Sequence, residues 1–187
     1  MAAKKKYPKE WDKKTILEIL EDLDDYFSKR GEKVNVIAIG GVAIVLQDFQ
    51  ARSTNDLDVA PVSDAERLLK ACDKLGINAQ VVTLTSTVDW NDIERVPLFA
   101  GRSLIVSGVN AEALIRLKLE CFRKQDPEDI YAIIEKEKFP YEKFVALVKD
   151  GKTLFMGRVD EYLVSAQLVV ERMYPEKFED FKRLFWL

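Results

Sequence analysis

Residues 39–59 read IGGVAIVLQDFQARSTNDLDV, and this stretch decides the fold class. An apolar strand ends at a glycine pair, the apolar run after it predicts about two turns of buried helix, and a second strand follows. The second strand begins with Asp56 and Asp58. A carboxylate in a hydrophobic strand is costly unless something pairs with it or coordinates it. The stretch therefore predicts an α/β fold with two acidic groups beside a glycine turn.

The rest of the chain adds helices on both sides of this stretch. Asp12 or Thr15 is placed to cap an amphipathic helix before it, and SDAE at 63–66 has the pattern of a capping box that opens another helix. Beyond Asn110 the apolar spacing is helical throughout. We therefore expect an α/β core with a mixed β-sheet flanked by helices, and a C-terminal helical extension. Further strands are predicted at 78–85, 96–99 and 103–106.

Composition narrows the chemistry that is open to the chain. Among its 187 residues there is no histidine, and the two cysteines lack CxxC spacing, which excludes ordinary zinc sites and histidine-dependent triads. A formal charge of -3 gives no overall preference for nucleic acid or anionic membranes. No apolar run reaches the ~18 residues of a membrane span, and the charged start is unlike a signal peptide. We expect a cytoplasmic protein that does not bind membranes.

The glycine pair, Gly40 and Gly41, has two interpretations. Glycine is the usual residue in a tight strand-to-helix turn, whatever the function. Alternatively, glycine lets backbone N–H groups approach a phosphate, with the positive end of the following helix nearby. The sequence lacks both the Walker ending GKS or GKT and the GxGxxG of dinucleotide folds, so any phosphate site is of another kind.

The two aspartates also have two interpretations. Side chains alternate along a strand, so Asp56 and Asp58 are expected on one face while Leu57 and Val59 point to the other. They could line an exposed edge, with Asp56 in a turn. Alternatively, paired carboxylates repel each other unless a divalent cation screens them, and Mg²⁺ prefers one or two carboxylates together with phosphate oxygens. The second interpretation predicts half of a metal-assisted phosphoryl-transfer site.

The quoted stretch resembles the signature of the polymerase-beta-like nucleotidyltransferase superfamily, in which a strand ends in GG or GS and DxD or DxE follows on the neighbouring strand. The R-x-T-x-D-x-D form at 52–58 is similar to a small prokaryotic branch that is related to abortive-infection toxin-antitoxin nucleotidyltransferases. A second similarity to that branch covers LIRLKLECFRKQDPEDIYAI at 114–133. The ranges implied are a basic N-terminal tail at 1–9, a nucleotidyltransferase-like α/β core at 10–110, and a helical extension at 111–187 that packs on the core.

The resemblance implies an enzyme that moves a nucleotidyl group from a nucleoside triphosphate to an acceptor, which would be a protein, an RNA or a small molecule. Asp56 and Asp58 would be the catalytic residues and would hold Mg²⁺, with Mn²⁺ as the alternative ion. Gly40 and Gly41 would contact the triphosphate. In-line transfer relies on positioning and electrostatics, so the lack of histidine fits.

Other nucleotide-binding candidates are less direct. By the same resemblance Arg52 and Thr54 would shape the entry to the second strand and touch phosphate. Lys118 falls on an apolar helix face, where its amine either reaches solvent at the edge or reaches the phosphates or the carboxylate pair. Asp126 and Asp129 are explained as a cap and a capping-box-like pattern around a proline, but the resemblance places both near the cleft as secondary candidates.

One departure from the family pattern opens two alternatives. Active members usually add a third carboxylate from a later strand, and SLIVSGV at 103–109 contains none; Asp89, Asp92 and Glu94 do not single out a replacement. A catalytically weak or inactive nucleotidyltransferase-like module, regulatory or antitoxin, is therefore one alternative. The other is a helical protein-interaction domain, or a homo-oligomer, in which the aromatic end FEDFKRLFWL at 178–187 packs on a partner rather than on its own core.

Overall fold

The computed structural model describes residues 7–50, 52–83 and 85–186. The chain folds into two compact units. The α/β unit comprises Met1–Thr83 and Trp90–Asn110. The helical unit comprises Leu84–Asp89 and Ala111–Leu187. The predicted domain ranges 1–9, 10–110 and 111–187 stay a prediction. The predicted mixed α/β fold with helices around the sheet is confirmed.

In the α/β unit, helices alternate with short strands. The elements are α1 (Lys13–Ser28), β1 (Val34–Ile37), α2 (Gly40–Leu46), β2 (Leu57–Val59), α3 (Ala65–Leu75), β3 (Ala79–Val81), β4 (Arg95–Ala100) and β5 (Leu104–Val109).

The strands pair in two groups. One is a three-stranded mixed sheet in the order β1-β5-β4, in which β1 is parallel and β4 antiparallel to β5. The other is the parallel pair β2 and β3. An isolated bridge between Ala38 and Val59 lies between the ends of β1 and β2, and the Ile39 N–H donates to the Asp58 carbonyl at 2.9 Å. The chain that leads into the glycine pair is therefore bonded directly to the strand that contains Asp58.

Three local predictions differ from the structure. α2 begins at Gly40, so the glycines are the first residues of the helix and not a separate turn before it. β2 is only Leu57–Val59, so Asp56 lies just before the strand. The capping box predicted at 63–66 is wrong, because the residue before α3 is Asp64 and its carboxylate accepts the backbone N–H of Asn35 instead of capping α3.

A buried carboxylate on α1 holds the turn between β4 and β5. Asp24 accepts the backbone N–H groups of Ser103 at 2.6 Å, Leu104 at 2.7 Å and Arg102 at 3.1 Å. A side chain on Gly101 would collide with the same carboxylate. Although burial alone would raise the pKa of Asp24, these hydrogen bonds and the nearby Arg102 guanidinium lower it overall. The charged carboxylate therefore joins the first helix to the mixed sheet.

Asp24→Asn should lower the free energy of unfolding by about 2 kcal/mol, because hydrogen bonds to a charged acceptor become weaker ones. Since the pKa is lowered in the folded state, the carboxylate stabilises the fold above the unfolded pKa of ~3.9, and this contribution disappears as pH falls through the folded pKa. Urea unfolding of both proteins should show a gap that closes as the buffer is acidified from pH 7. A gap that stayed constant down to pH 2 would contradict this assignment.

In the helical unit, helices pack around aromatic side chains. Phe144, Tyr162 and Phe181 are fully buried there. The segment at 85–89 is attached by Glu120, whose carboxylate accepts the backbone N–H of Thr87 at 2.7 Å. Among the described residues, no helix is long and apolar enough to cross a membrane. The elements are α4 (Ala111–Cys121), α5 (Asp126–Glu137), α6 (Tyr141–Leu154), α7 (Val159–Met173) and α8 (Phe178–Trp186).

The aromatic end of the chain is used in two ways. Phe181 is fully buried and its ring lies 4.6 Å from that of Phe185, so one side of α8 closes the core of the helical unit. Leu184 and Trp186 remain exposed. Packing on its own core thus accounts for Phe181 and Phe185.

Candidate active site

Gly40 lies directly against one of the two aspartates. A Cβ at residue 40 would be 2.6 Å from Oδ2 and 3.3 Å from Cβ of Asp58. Gly40 also has φ +60°, a conformation that costs other L-residues about 1–2 kcal/mol. Residue 40 must therefore be glycine for two reasons, and one of them is the Asp58 carboxylate.

Gly41 lies against the segment that leads into β2. A Cβ there would collide with Oγ1 of Thr54 and would be 2.7 Å from the Thr54 Cβ. Nη2 of Arg52 is 3.5 Å from the same point, and its Nη1 donates to the Ser53 carbonyl at 3.1 Å. The structure therefore brings Arg52 and Thr54 next to the glycine pair. Their spacing in the sequence alone did not determine this contact.

Each of the two carboxylates is held by a neighbouring side chain. Oγ1 of Thr54 donates to Oδ1 of Asp56 at 3.1 Å, and Nε2 of Gln80 donates to Oδ1 of Asp58 at 2.7 Å. Leu57 is buried, whereas both aspartates are partly exposed. Asp58 lies directly against Gly40, whereas Asp56 is linked to Gly41 only by its hydrogen bond from Thr54.

The segment that carries Thr54 is fixed from the other side by the residues before α1. Trp11 and Thr54 exchange backbone hydrogen bonds of 2.6 and 3.0 Å in an isolated antiparallel bridge. The Trp11 side chain is buried, and Ser53 donates to Glu10 at 3.0 Å. Thr54 therefore lies against Gly41 with its side chain, while its backbone is hydrogen-bonded to Trp11.

Lys118 has a different environment from either of the two expected. Its Nζ lies 2.6 Å from Oδ1 of Asp126 and 2.8 Å from Oδ2 of Asp129, and all three side chains are largely buried. The other Asp126 oxygen accepts the backbone N–H of Arg123 at 2.6 Å. The residue that precedes α5 is Gln125, so the predicted capping role of Asp126 is replaced by this contact. Nucleotide contacts of Lys118, Asp126 and Asp129 stay a prediction.

The third carboxylate is not found in the described part of the chain, where no three acidic, cysteine or histidine side chains cluster closely enough to hold a metal ion. Glu94 accepts a hydrogen bond from Asn110, and Glu112 pairs with Arg116. The donors beside the glycines are two carboxylates, which fit a hard cation such as Mg²⁺ when substrate phosphates supply further oxygens.

Sequence reasoning missed Gln80. Its position opposite Asp58 depends on the parallel register of β2 and β3, in which Asp58 pairs with Gln80. The order of the two short strands along the chain was the only sequence feature that indicated such a pairing. The register of three-residue strands is not readable from an alternation pattern.

An open groove of about 400 Å³ lies elsewhere in the α/β unit, between the end of α1 and α3. Four cationic side chains line it, but none of the predicted site residues does. These side chains are Arg30, Arg67, Lys70 and Lys74.

The fold defines a mixed α/β protein in which Asp58 lies against Gly40 and Asp56 is linked to Gly41 through Thr54. Residues 14–184 match the family model described as a nucleotidyltransferase of unknown function (DUF6036), and the chain belongs to that family. Nucleotidyl transfer is thus the general kind of function. No curated protein and no solved structure matches the chain.

Gly40→Ala should lower stability more than Gly31→Ala. Both glycines have positive φ, +60° and +66°, but a Cβ on Gly31 meets nothing within 4 Å. The extra cost of Gly40→Ala measures the Asp58 contact and should be about 1 kcal/mol, the lower end for overpacking. In urea unfolding, adding Asp58→Ala should remove this extra cost; equal costs at the two glycines, with simple additivity, would refute the contact.

Lys118→Met should destabilise the protein by about 3 kcal/mol, because it leaves two buried carboxylates without their cation. Adding Asp126→Asn and Asp129→Asn should restore part of the loss. Lys143→Met is the matched control: Lys143 is more than half exposed and its nearest Glu112 oxygen is 3.6 Å away, so the change should cost less than about 1 kcal/mol. Chemical denaturation of the wild type and these three variants measures the differences. Equal losses for the two single lysine variants would show that the buried cluster contributes no more to stability than an exposed ion pair.

Proposed function

We propose that this protein transfers a nucleotidyl group from a nucleoside triphosphate to a protein, RNA or small-molecule acceptor. Its catalytic residues are Asp56 and Asp58, and its metal ion is Mg²⁺ or Mn²⁺. The supporting observation is the position of Asp58 against Gly40 and of Thr54, which bonds Asp56, against Gly41. Family membership agrees with the kind of reaction. The same arrangement supports a place in the polymerase-beta-like superfamily, near the toxin-antitoxin-related branch.

The glycine pair supplies the phosphate-binding surface in this proposal. The space of the two missing side chains is taken by Asp58 and Thr54, so a phosphate would be bound by the backbone N–H groups at the start of α2. The Arg52 guanidinium lies beside Gly41 and adds a positive charge with several N–H donors, which suits phosphate oxygens. Arg52 therefore orients the triphosphate along the glycines.

The carboxylates complete the site. Asp56 and Asp58 would hold the cation, with Thr54 and Gln80 fixing one oxygen of each carboxylate. When bound, the metal ion screens the charge of the phosphates and activates the attacking oxygen of the acceptor. The side chains of the protein thus position the triphosphate and the ion, which is most of what in-line transfer requires.

One observation favours a second candidate, a catalytically weak or inactive nucleotidyltransferase-like regulatory or antitoxin module. Among the described residues the carboxylate pair has no third acidic neighbour. Such a module would bind a nucleotide with Mg²⁺ but would transfer nothing. Incorporation of label into any acceptor would count against it.

Asp56→Asn and Asp58→Asn should each reduce transfer by about 100-fold or more, since each removes a charge that acts on the reacting phosphates. The assay incubates the protein with each α-labelled nucleoside triphosphate, Mg²⁺ or Mn²⁺, and separate pools of protein, RNA and small-molecule acceptors. Asp73→Asn is the matched control, an exposed aspartate on α3 of the same unit, and should retain wild-type transfer.

If no acceptor is labelled, nucleotide binding tests the metal site that both candidates share. Mg²⁺-dependent binding of a non-hydrolysable triphosphate should be lost in both Asn variants and kept in Asp73→Asn. Wild-type transfer and binding in both Asn variants would rule out the metal role of these aspartates.

A further inference from the structure

Gln80 is the side chain next to Asp58 on the neighbouring strand. The register of β2 and β3 pairs the two residues, and Nε2 of Gln80 lies 2.7 Å from Oδ1 of Asp58. The other oxygen, Oδ2, lies over Gly40. Gln80 thus fixes the rotation of the Asp58 carboxylate so that one oxygen faces the glycine pair.

The charge of this neighbour is as important as its hydrogen bond. A glutamine amide is neutral, so Asp56 and Asp58 together balance only the two charges of a divalent cation. Mg²⁺ needs about six oxygen ligands and takes the remainder from water and substrate phosphates when only one or two carboxylates are present. A carboxylate in place of the Gln80 amide would add both a charge and an oxygen ligand beside Asp58.

We propose that Gln80 is a positioning residue that makes cation binding depend on the nucleotide. The amide holds Asp58 in its binding orientation without adding negative charge, so a divalent cation binds firmly only together with a triphosphate. This inference rests on the proposed function, because it assumes that Asp56 and Asp58 hold the cation. It adds an order of binding to that function. The cation binds together with the nucleotide, and the protein without nucleotide holds the cation weakly.

The test titrates Mn²⁺ alone into the protein and follows the electron paramagnetic resonance signal of the free ion. Gln80→Glu should tighten Mn²⁺ binding at least about tenfold, because a third negative charge is added within a few ångströms of the ion. Gln167→Glu makes the same charge change on α7 and should leave the affinity unchanged. A cation site that lies away from residue 80 predicts no tightening.

A second measurement examines the coupling to nucleotide. Equilibrium dialysis of the labelled α,β-methylene analogue of each ribonucleoside triphosphate, with and without Mn²⁺, gives the factor by which the ion improves nucleotide binding. This factor should be large in the wild type and smaller in Gln80→Glu, whose ion site is already occupied. Gln80→Leu, which cannot hold Asp58, should lower Mn²⁺-dependent binding of the analogue several-fold. Gln80 is exposed, and urea unfolding checks that all variants fold.

The outcomes distinguish this inference from the proposed function. If Asp58→Asn weakens Mn²⁺-dependent analogue binding but Gln80→Glu binds Mn²⁺ no better than the wild type, the inference is overturned and the carboxylate site stands. The inference also fails if wild-type protein binds Mn²⁺ alone as tightly as with the analogue. If Asp58→Asn has no effect on either measurement, the proposed function fails, and the inference fails with it.

Discussion

The site depends on the absence of side chains at Gly40 and Gly41. A Cβ on either residue would occupy positions taken by Asp58 or Thr54, so the start of α2 and the segment before β2 can approach this closely only with glycine at both places. That approach places the Asp58 carboxylate against Gly40, and Thr54, which bonds Asp56, against Gly41. Without it, Asp56 and Asp58 would be ordinary acidic residues near a strand.

Other contacts in the α/β unit maintain this approach. The Ile39 N–H bonded to the Asp58 carbonyl fixes the chain directly before the glycines, and the bridge between Trp11 and Thr54 fixes the opposite segment. Asp24 ties α1 to the β4–β5 turn, and so secures the sheet to which β1 belongs. The site is therefore held by backbone hydrogen bonds and one buried carboxylate.

Local signals in the sequence predicted much of this arrangement, and long-range pairing accounts for what they missed. The apolar periodicity at 159–173 corresponds to α7, and Asp12 caps α1 by accepting the Thr15 N–H, as its position indicates. The capping box at 63–66 failed because the Asp64 carboxylate is used by Asn35, a residue 29 positions away. Gln80 was missed for the same reason, since its role exists only in the register of β2 against β3.

The central claim is that Asp56 and Asp58 jointly bind a divalent cation beside the glycine pair. Its most direct test is a crystal structure of the protein with Mn²⁺ and a non-hydrolysable triphosphate, with the ion located by its anomalous scattering. The account predicts one peak bonded to an oxygen of each aspartate at roughly 2.0–2.3 Å, with the phosphates along Gly40 and Gly41. A bound triphosphate whose ion contacts neither aspartate would contradict it.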